Sequence, residues 1–349
     1  MGHAVGVICD SRSGGATAAE QLGRLAVQCS LGVKRVPMSR QIGLRDITAY
    51  RAVRWFVLDS DAEILHGHGA KGGAYARLVA RGLKKQTSRT RAIYTLHGGS
   101  LHYDPDQLMG RVFLDLERRL APHTDSLIFE SAYSAGLYEA KVGPLPCEGF
   151  IVPNGLWPHE FYDVVLDIDA ADFLFVGELR ELKGVDLLLK ALARMQPARP
   201  TTALIVGSGP DEAAFRRLAK ELGLEKTVKF AGAMPARLAF SRGRCLIVPS
   251  RAESFPYIVL EAAAAQLPMI LTDVGGIPEI VDGTEIELCQ PGDEVLLEAQ
   301  MSRFLNDPDI FVQQAKSLQT AVAENFTATG MAQAIIEVYE RALDLAGRT

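Results

Sequence analysis

Short, continuous apolar runs alternate along the whole chain with longer segments whose apolar residues recur at helical spacing, and this alternation constrains the fold more than any other feature. The first half holds AVGVIC (4–9), WFVLD (55–59), EILHGHG (63–69), RAIYTLHG (91–98), SLIFES (126–131) and FIVPNG (150–155). The second holds FLFVGEL (173–179), TALIVGSG (202–209), VKFAGA (228–233), CLIVPS (245–250), MILTDVGG (269–276) and IELCQPGD (286–293). A run that is apolar throughout needs cover on both faces, and the helices of successive crossovers supply it in a parallel sheet. Two such sets predict two doubly wound α/β domains. VPNGLWPHEFYDVV, with its Pro and Gly turn chemistry, puts the hinge near Asn154 to Ala170. The expected division is 1–160, 161–330 and a closing helix over 331–349, where Met331, Ile335, Ile336, Val338, Tyr339 and Leu343 recur at helical spacing.

The 349 residues are 48% hydrophobic and 23% charged, which excludes a disordered or fibrous chain. Five cysteines, an odd number without close pairing, predict a reducing compartment and no structural metal. No stretch reaches the ~18 apolar residues of a membrane span, and the first apolar run is too short for a signal peptide. A cytoplasmic location is expected. Residues 1–150 carry a net charge of +5 and the remainder −10, which predicts different partners for the two halves.

Ligands of open α/β sheets bind beyond the carboxyl ends of the strands, so the loops that follow each run are the candidate sites. PSRAESFPYIVLEAAA is the most informative of them. Glu253 and Glu261 stand eight residues apart, a little over two helical turns, and Pro256 marks the first turn of the helix between them. That helix start offers free N–H groups to a phosphate, while the two carboxylates accept hydrogen bonds from hydroxyls on either side. FVGELRELKG puts Arg180 and Lys183 in another strand-to-helix loop, where two cations neutralise a diphosphate. Gly207 and Gly209 in VGSGPDE give half of a dinucleotide fingerprint, but Glu212 stands where a third glycine belongs, which argues against NAD.

On these motifs the chain resembles the family-4 retaining glycosyltransferases of the GT-B fold, most strongly from Phe173 to Val281. The resemblance implies two Rossmann-like domains facing a central cleft and a Glu-x7-Glu motif at Glu253 and Glu261. It implies that Glu253 binds donor-sugar hydroxyls and Glu261 the ribose. It places Gly14, Gly15, Gly177, Gly207, Gly209, Ser254, Phe255, Pro256 and Tyr257 at the donor, with TDVGGIPEIV closing the nucleotide pocket. His97 matches the histidine that reaches the donor sugar, so that Glu253, Lys183, Arg180 and His97 form the catalytic set. The sequence departs from the family at Glu178, where arginine is usual, and at Gln266, where glycine is common.

The activity implied is transfer of a sugar from a nucleoside diphosphate to a hydroxyl acceptor, in polysaccharide or lipid-linked glycan synthesis, with no metal or other cofactor. The rivals are a sugar-nucleotide isomerase on the same architecture and a catalytically silent nucleotide-sugar-binding protein. His66, His68 and Lys71 sit at a strand end expected on the acceptor side. Asp59-Ser60-Asp61 has the spacing of a metal-chelating motif but is read as a solvated turn between two strands. From Lys71 to Arg91 there are seven basic residues and no acid (Lys71, Arg77, Arg81, Lys84, Lys85, Arg89, Arg91), which suits peripheral contact with an anionic membrane as well as it suits a solvated helix face. With Tyr75 the only aromatic among them, nucleic acid is not expected.

Overall fold

The computed structural model describes residues 2–12, 15–38, 43–84, 90–196 and 199–347. Its strands are β1 (Gly6–Asp10), β2 (Gly32–Val36), β3 (Ile64–His68), β4 (Arg91–Thr95), β5 (Ser126–Phe129), β6 (Glu148–Ile151), β7 (Ala171–Val176), β8 (Ala203–Val206), β9 (Val228–Gly232), β10 (Gly243–Val248) and β11 (Met269–Leu271). They form sheets of order β1-β2, β3-β4-β5-β6 and β11-β10-β7-β8-β9, and every described pairing is parallel.

In the five-stranded sheet the two-residue period of a strand sorts side chains onto opposite faces. Phe173, Phe175, Cys245 and Ile247 enter one core with Leu188, Ile205 and Phe304, while Leu174, Leu246 and Val248 enter the other with Leu260 and Ala263. Both faces are covered by helices, which is why these strands read as unbroken apolar runs.

The chain separates into two compact units. One comprises Met1–Ile128, Val142–Phe150 and Val338–Thr349, and the other Phe129–Lys141 and Ile151–Glu337. This division differs from a single cut near residue 160. The helix Ala132–Lys141 belongs to the second unit because its first turn is bonded there: Glu279 accepts hydrogen bonds from the N–H groups of Ala132 and Tyr133, both at 2.9 Å. The last helix, Ala328–Gly347, is shared, and its Tyr339 hydroxyl lies 2.6 Å from Nδ1 of His66 in the first unit.

Three expectations for the strands require correction. WFVLD (55–59) lies inside the helix Arg45–Ser60, not in a strand. Val53 and Val57 are buried on its inner side while Trp55 and Leu58 are exposed, so a five-residue window shows no polar face. Asp59-Ser60-Asp61 accordingly falls at a helix end, with Asp61 in the left-handed region at φ 46°, and not between two strands. β2 (GVKRV) is an additional strand whose two charges hide its pattern, and IELCQPGD supplies only a single bridge from Cys289 to Thr272.

Candidate active site

In the five-stranded sheet β8 and β9 lie on one side of β7, and β10 and β11 on the other. The strand order reverses between β7 and β10, and the loops leaving their carboxyl ends diverge there to open a crevice. The loop after β7 carries Lys183, on a single 3₁₀ turn Glu181–Lys183, and the loop after β10 carries Glu253. Lys183 Nζ donates to both carboxylate oxygens of Glu253, at 2.7 and 2.8 Å, and Ser250 Oγ donates to one of them at 2.8 Å. With Gly177, Glu178, Pro256 and Tyr257 these residues line a cavity of about 310 Å³. Arg251 ties the two loops together, giving 2.8 and 2.6 Å hydrogen bonds to Asp186 and one of 2.7 Å to the Glu181 carbonyl.

Two glycines permit backbone approaches that a side chain would block. At Gly207 (φ 146°) a Cβ would stand 1.8 Å from the Gly177 carbonyl oxygen, so glycine lets the turn after β8 lie on the turn after β7. At Gly275 (φ 62°) it would stand 2.1 Å from the Glu253 carbonyl oxygen, which seats the GGIPE segment directly on the glutamate's own backbone. Gly209 packs in the same way against Leu179.

Glu261 stands on the helix Tyr257–Ala264, which Pro256 precedes. Burial, assisted by the carboxylate of Glu160, raises its pKa above the ordinary range, and its carboxylate, unlike its backbone carbonyl, accepts no hydrogen bond among the described residues. An acceptor group that is half-buried and uncommitted in the protein is available to a ligand.

The remaining predicted residues divide by what they touch. Arg180 is half exposed and faces Glu178 at 3.6 Å, so its charge is shared with the carboxylate that departs from the family pattern. Ser254 and Phe255 do not line the cavity. The Ser254 carbonyl accepts from Gly276 N–H at 2.7 Å, its Oγ lies 3.0 Å from that of Ser134, and Phe255 is buried, 5.5 Å from the Phe326 ring centre to centre. Asn154 holds the Phe255 carbonyl at 3.0 Å. Ser134 and Asn154, together with Ser131, steady the segment after Glu253. They lie about a hundred residues away in sequence, and no local motif marks them.

In the first unit, His66 is enclosed between the Tyr339 hydroxyl and Thr95 Oγ1, at 2.6 and 2.7 Å. Burial, then the charges of His68 and His97, hold its pKa well below the usual histidine range, so it is neutral at neutral pH. His68 stacks on it with ring centres 4.1 Å apart, and His68 Nδ1 lies 2.9 Å from His97 Nε2. His97 adopts φ 50°, an unusual conformation for a side chain of its size and one that clusters at functional sites. Lys71 pairs with Asp46 at 2.6 Å. Gly15 starts the helix Gly15–Ala26, and Gly14 lies outside the described residues.

Gln266 also has a positive φ, 53°, immediately after the helix Tyr257–Ala264 and its cap Ala265. Glycine takes that conformation without strain, which accounts for its frequency there. The Gln266 amide offsets the cost by donating to Asp163 and Gln319, both at 2.7 Å.

Two units with parallel sheets, one of them carrying a lysine and a glutamate at its switch point, define the GT-B class of fold. Residues 1–155 match the family model described as "Glycosyl transferase 4-like domain", and residues 170–307 the model described as "Glycosyl transferases group 1". Together the two matches run over most of the chain, and each of its two parts is similar to a glycosyl transferase model.

Glycogen synthase of Mycobacterium tuberculosis (strain CDC 1551 / Oshkosh) is 28% identical over 233 residues, 64% of this chain and 56% of that protein. D-inositol 3-phosphate glycosyltransferase of Acidothermus cellulolyticus is 33% identical over 193 residues, 51% of this chain and 42% of that protein. The chain thus spans about half the length of these curated relatives. Sucrose-phosphate synthase of Thermosynechococcus elongatus superposes with a TM-score of 0.80 at 20% identity, covering 98% of this chain and all of that one. Anabaena HepE, solved in complex with UDP-glucose, superposes at 0.76 with 17% identity, covering 97% of this chain and 99% of that one. At such distances the likeness is one of fold.

Proposed function

We propose that the chain is a retaining glycosyltransferase that moves a sugar from a nucleoside diphosphate to a hydroxyl acceptor, in polysaccharide or lipid-linked glycan synthesis. The observation that carries this reading is the Lys183–Glu253 pair at the carboxyl ends of β7 and β10, with the uncommitted Glu261 two helical turns beyond. In the proposed reaction the bond from the anomeric carbon to the diphosphate oxygen breaks. The acceptor oxygen bonds to that carbon on the same face, and its proton passes to the leaving phosphate. Lys183 turns from Glu253 toward the diphosphate, Arg180 and the start of the helix Tyr257–Ala264 share its charge, and Glu253 accepts from sugar hydroxyls. His97 shapes the reacting face. No side chain serves as nucleophile.

The roles of the glutamates separate in mutants. Glu261→Gln is expected to weaken binding of the free nucleoside diphosphate, because the amide presents a donor where the ribose diol needs an acceptor. Glu253→Gln is expected to leave that affinity nearly intact and lower turnover of the nucleotide sugar. Each loss should be roughly tenfold to a hundredfold, the worth of a hydrogen bond to a charged group. Calorimetry with the nucleotide, beside donor kinetics, reads both. Equal loss of nucleotide binding in the two variants sinks the assignment.

Because cationic side chains meet the diphosphate, activity is also expected to survive EDTA; abolition by the chelator with recovery on adding Mg²⁺ or Mn²⁺ contradicts the proposal. Glu178, a carboxylate lining the same cavity, favours the second reading, a catalytically silent binder of nucleotide sugars. A sugar-nucleotide isomerase is the third. Product analysis with and without acceptor separates them, since only the transferase needs the acceptor and only the silent protein leaves the donor intact.

A further inference from the structure

Among the described residues of the basic run from Lys71 to Arg91, most of the positive charge is paired. Lys71 pairs with Asp46, Arg77 with Glu117, and Lys84 and Arg91 with Asp125. Arg81 remains exposed, and Lys85 and Arg89 lie outside the described residues. Another surface of the same unit has the composition that the run lacks.

The helix Arg45–Ser60 buries Ala49, Val53 and Val57 on its inner side. Outward it presents Leu44, 86% exposed, and Ile47, Trp55 and Leu58, which are 50%, 57% and 49% exposed. At 100° per residue these four, with Arg51 between them, fall within an arc of about 80°. They form one stripe along the helix. Arg45 and Arg51 are exposed and have no ion-pair partner among the described residues, and the Lys34 ammonium sits 4.1 Å from the centre of the Trp55 ring.

We propose that this stripe docks the protein on an anionic lipid surface. Leucine and isoleucine side chains entering the acyl boundary gain from leaving water. Tryptophan suits the interface itself, where its ring is apolar and its N–H is wet. The arginines and the lysine beside it meet anionic headgroups, in keeping with the positive charge of this half of the chain. A second copy of the chain is a poorer occupant. In a two-fold antiparallel pairing the stripe, centred on Arg51, would set that arginine against its own copy. The surface carries no residue assigned to glycosyl transfer, so the proposal stands or falls separately from the proposed reaction.

The two tryptophans, Trp55 and Trp157, make the test direct. In the full chain carrying Trp157→Phe, Trp55 is the only tryptophan and reports on the stripe. Vesicles of phosphatidylcholine with phosphatidylglycerol are expected to shift its emission to the blue and to pellet the protein, while pure phosphatidylcholine does neither. Both effects should weaken with salt, because exposed charges are screened. Adding Ile47→Ser, or Leu58→Ser in a separate chain, removes exposed apolar surface without touching the core and should lower vesicle affinity roughly tenfold. Arg81→Ser should change it little. Unchanged Trp55 emission with anionic vesicles, or equal pelleting with neutral ones, overturns the proposal. So does a blue shift that grows with protein concentration in the absence of vesicles and is abolished by Ile47→Ser, which would assign the stripe to a second copy.

Discussion

Replacing Lys183 by methionine is expected to lower kcat/KM for the nucleotide-sugar donor by roughly 10²–10³-fold, the loss typical when a charge-stabilising group is removed from a site. Two effects combine. The diphosphate loses the cation that faces it in the proposed reaction, and Glu253, only 7% exposed, loses the two hydrogen bonds that compensate its burial and keeps only the one from Ser250. A buried carboxylate stripped of its partner is costly, so the variant should also melt at a lower temperature. Adding Glu253→Gln to Lys183→Met separates the two effects: the melting temperature should recover because no charge is stranded, and activity should not. Donor kinetics beside thermal melts of the three variants measure this. A loss of less than about threefold in Lys183→Met would remove the lysine from the mechanism.

The largest effect on stability is expected in the first unit. Arg77 is fully buried and Glu117 nearly so, with 2.8 Å between Nη1 and Oε2. The guanidinium also lies 4.2 Å from the centre of the Tyr94 ring and donates through Nε to the Gly73 carbonyl at 3.0 Å, while the Tyr94 hydroxyl donates to Glu117 at 3.1 Å. Arg77→Met leaves the glutamate charged and buried, and should destabilise the first unit by about 3–5 kcal/mol. Pairing it with Glu117→Leu removes the second charge and should recover most of the loss, since an apolar pair of similar volume serves such a position about as well. Urea unfolding of the single and double variants decides the matter. If the double variant is as unstable as the single, the site is held by shape and not by charge.

The second unit was legible in the sequence because both faces of its sheet are buried, so that Phe173 to Val176 and Cys245 to Val248 read as strands whatever surrounds them. Lys183 and Glu253 were equally visible, since each follows its strand directly. The first unit was harder to read. The helix around Trp55 is apolar on its outer side as well as its inner one, which erases the periodicity, and β2 carries Lys34 and Arg35 and, among the described residues, pairs with β1 alone. Ser131, Ser134 and Asn154 could not be found, because their part in the site exists only once distant segments meet. The pairing of the basic run is hidden for a related reason: Asp46, Glu117 and Asp125, which take up the charge of Lys71, Arg77, Lys84 and Arg91, lie outside it in sequence. Gln266 was unexplained until its backbone angle was seen.

The division of the chain also bears on the order in which the protein can mature during synthesis. The first unit needs Val338 onward, so a nascent chain that has emerged only to Phe150 lacks part of it. In such a chain His66 has Thr95 for one ring nitrogen, while the tyrosine that occupies the other has not yet been translated. The second unit, complete at Glu337, is the first that can close. The first unit is therefore completed after the second, and shortening the helix Ala328–Gly347 should be felt around His66, far back in the sequence.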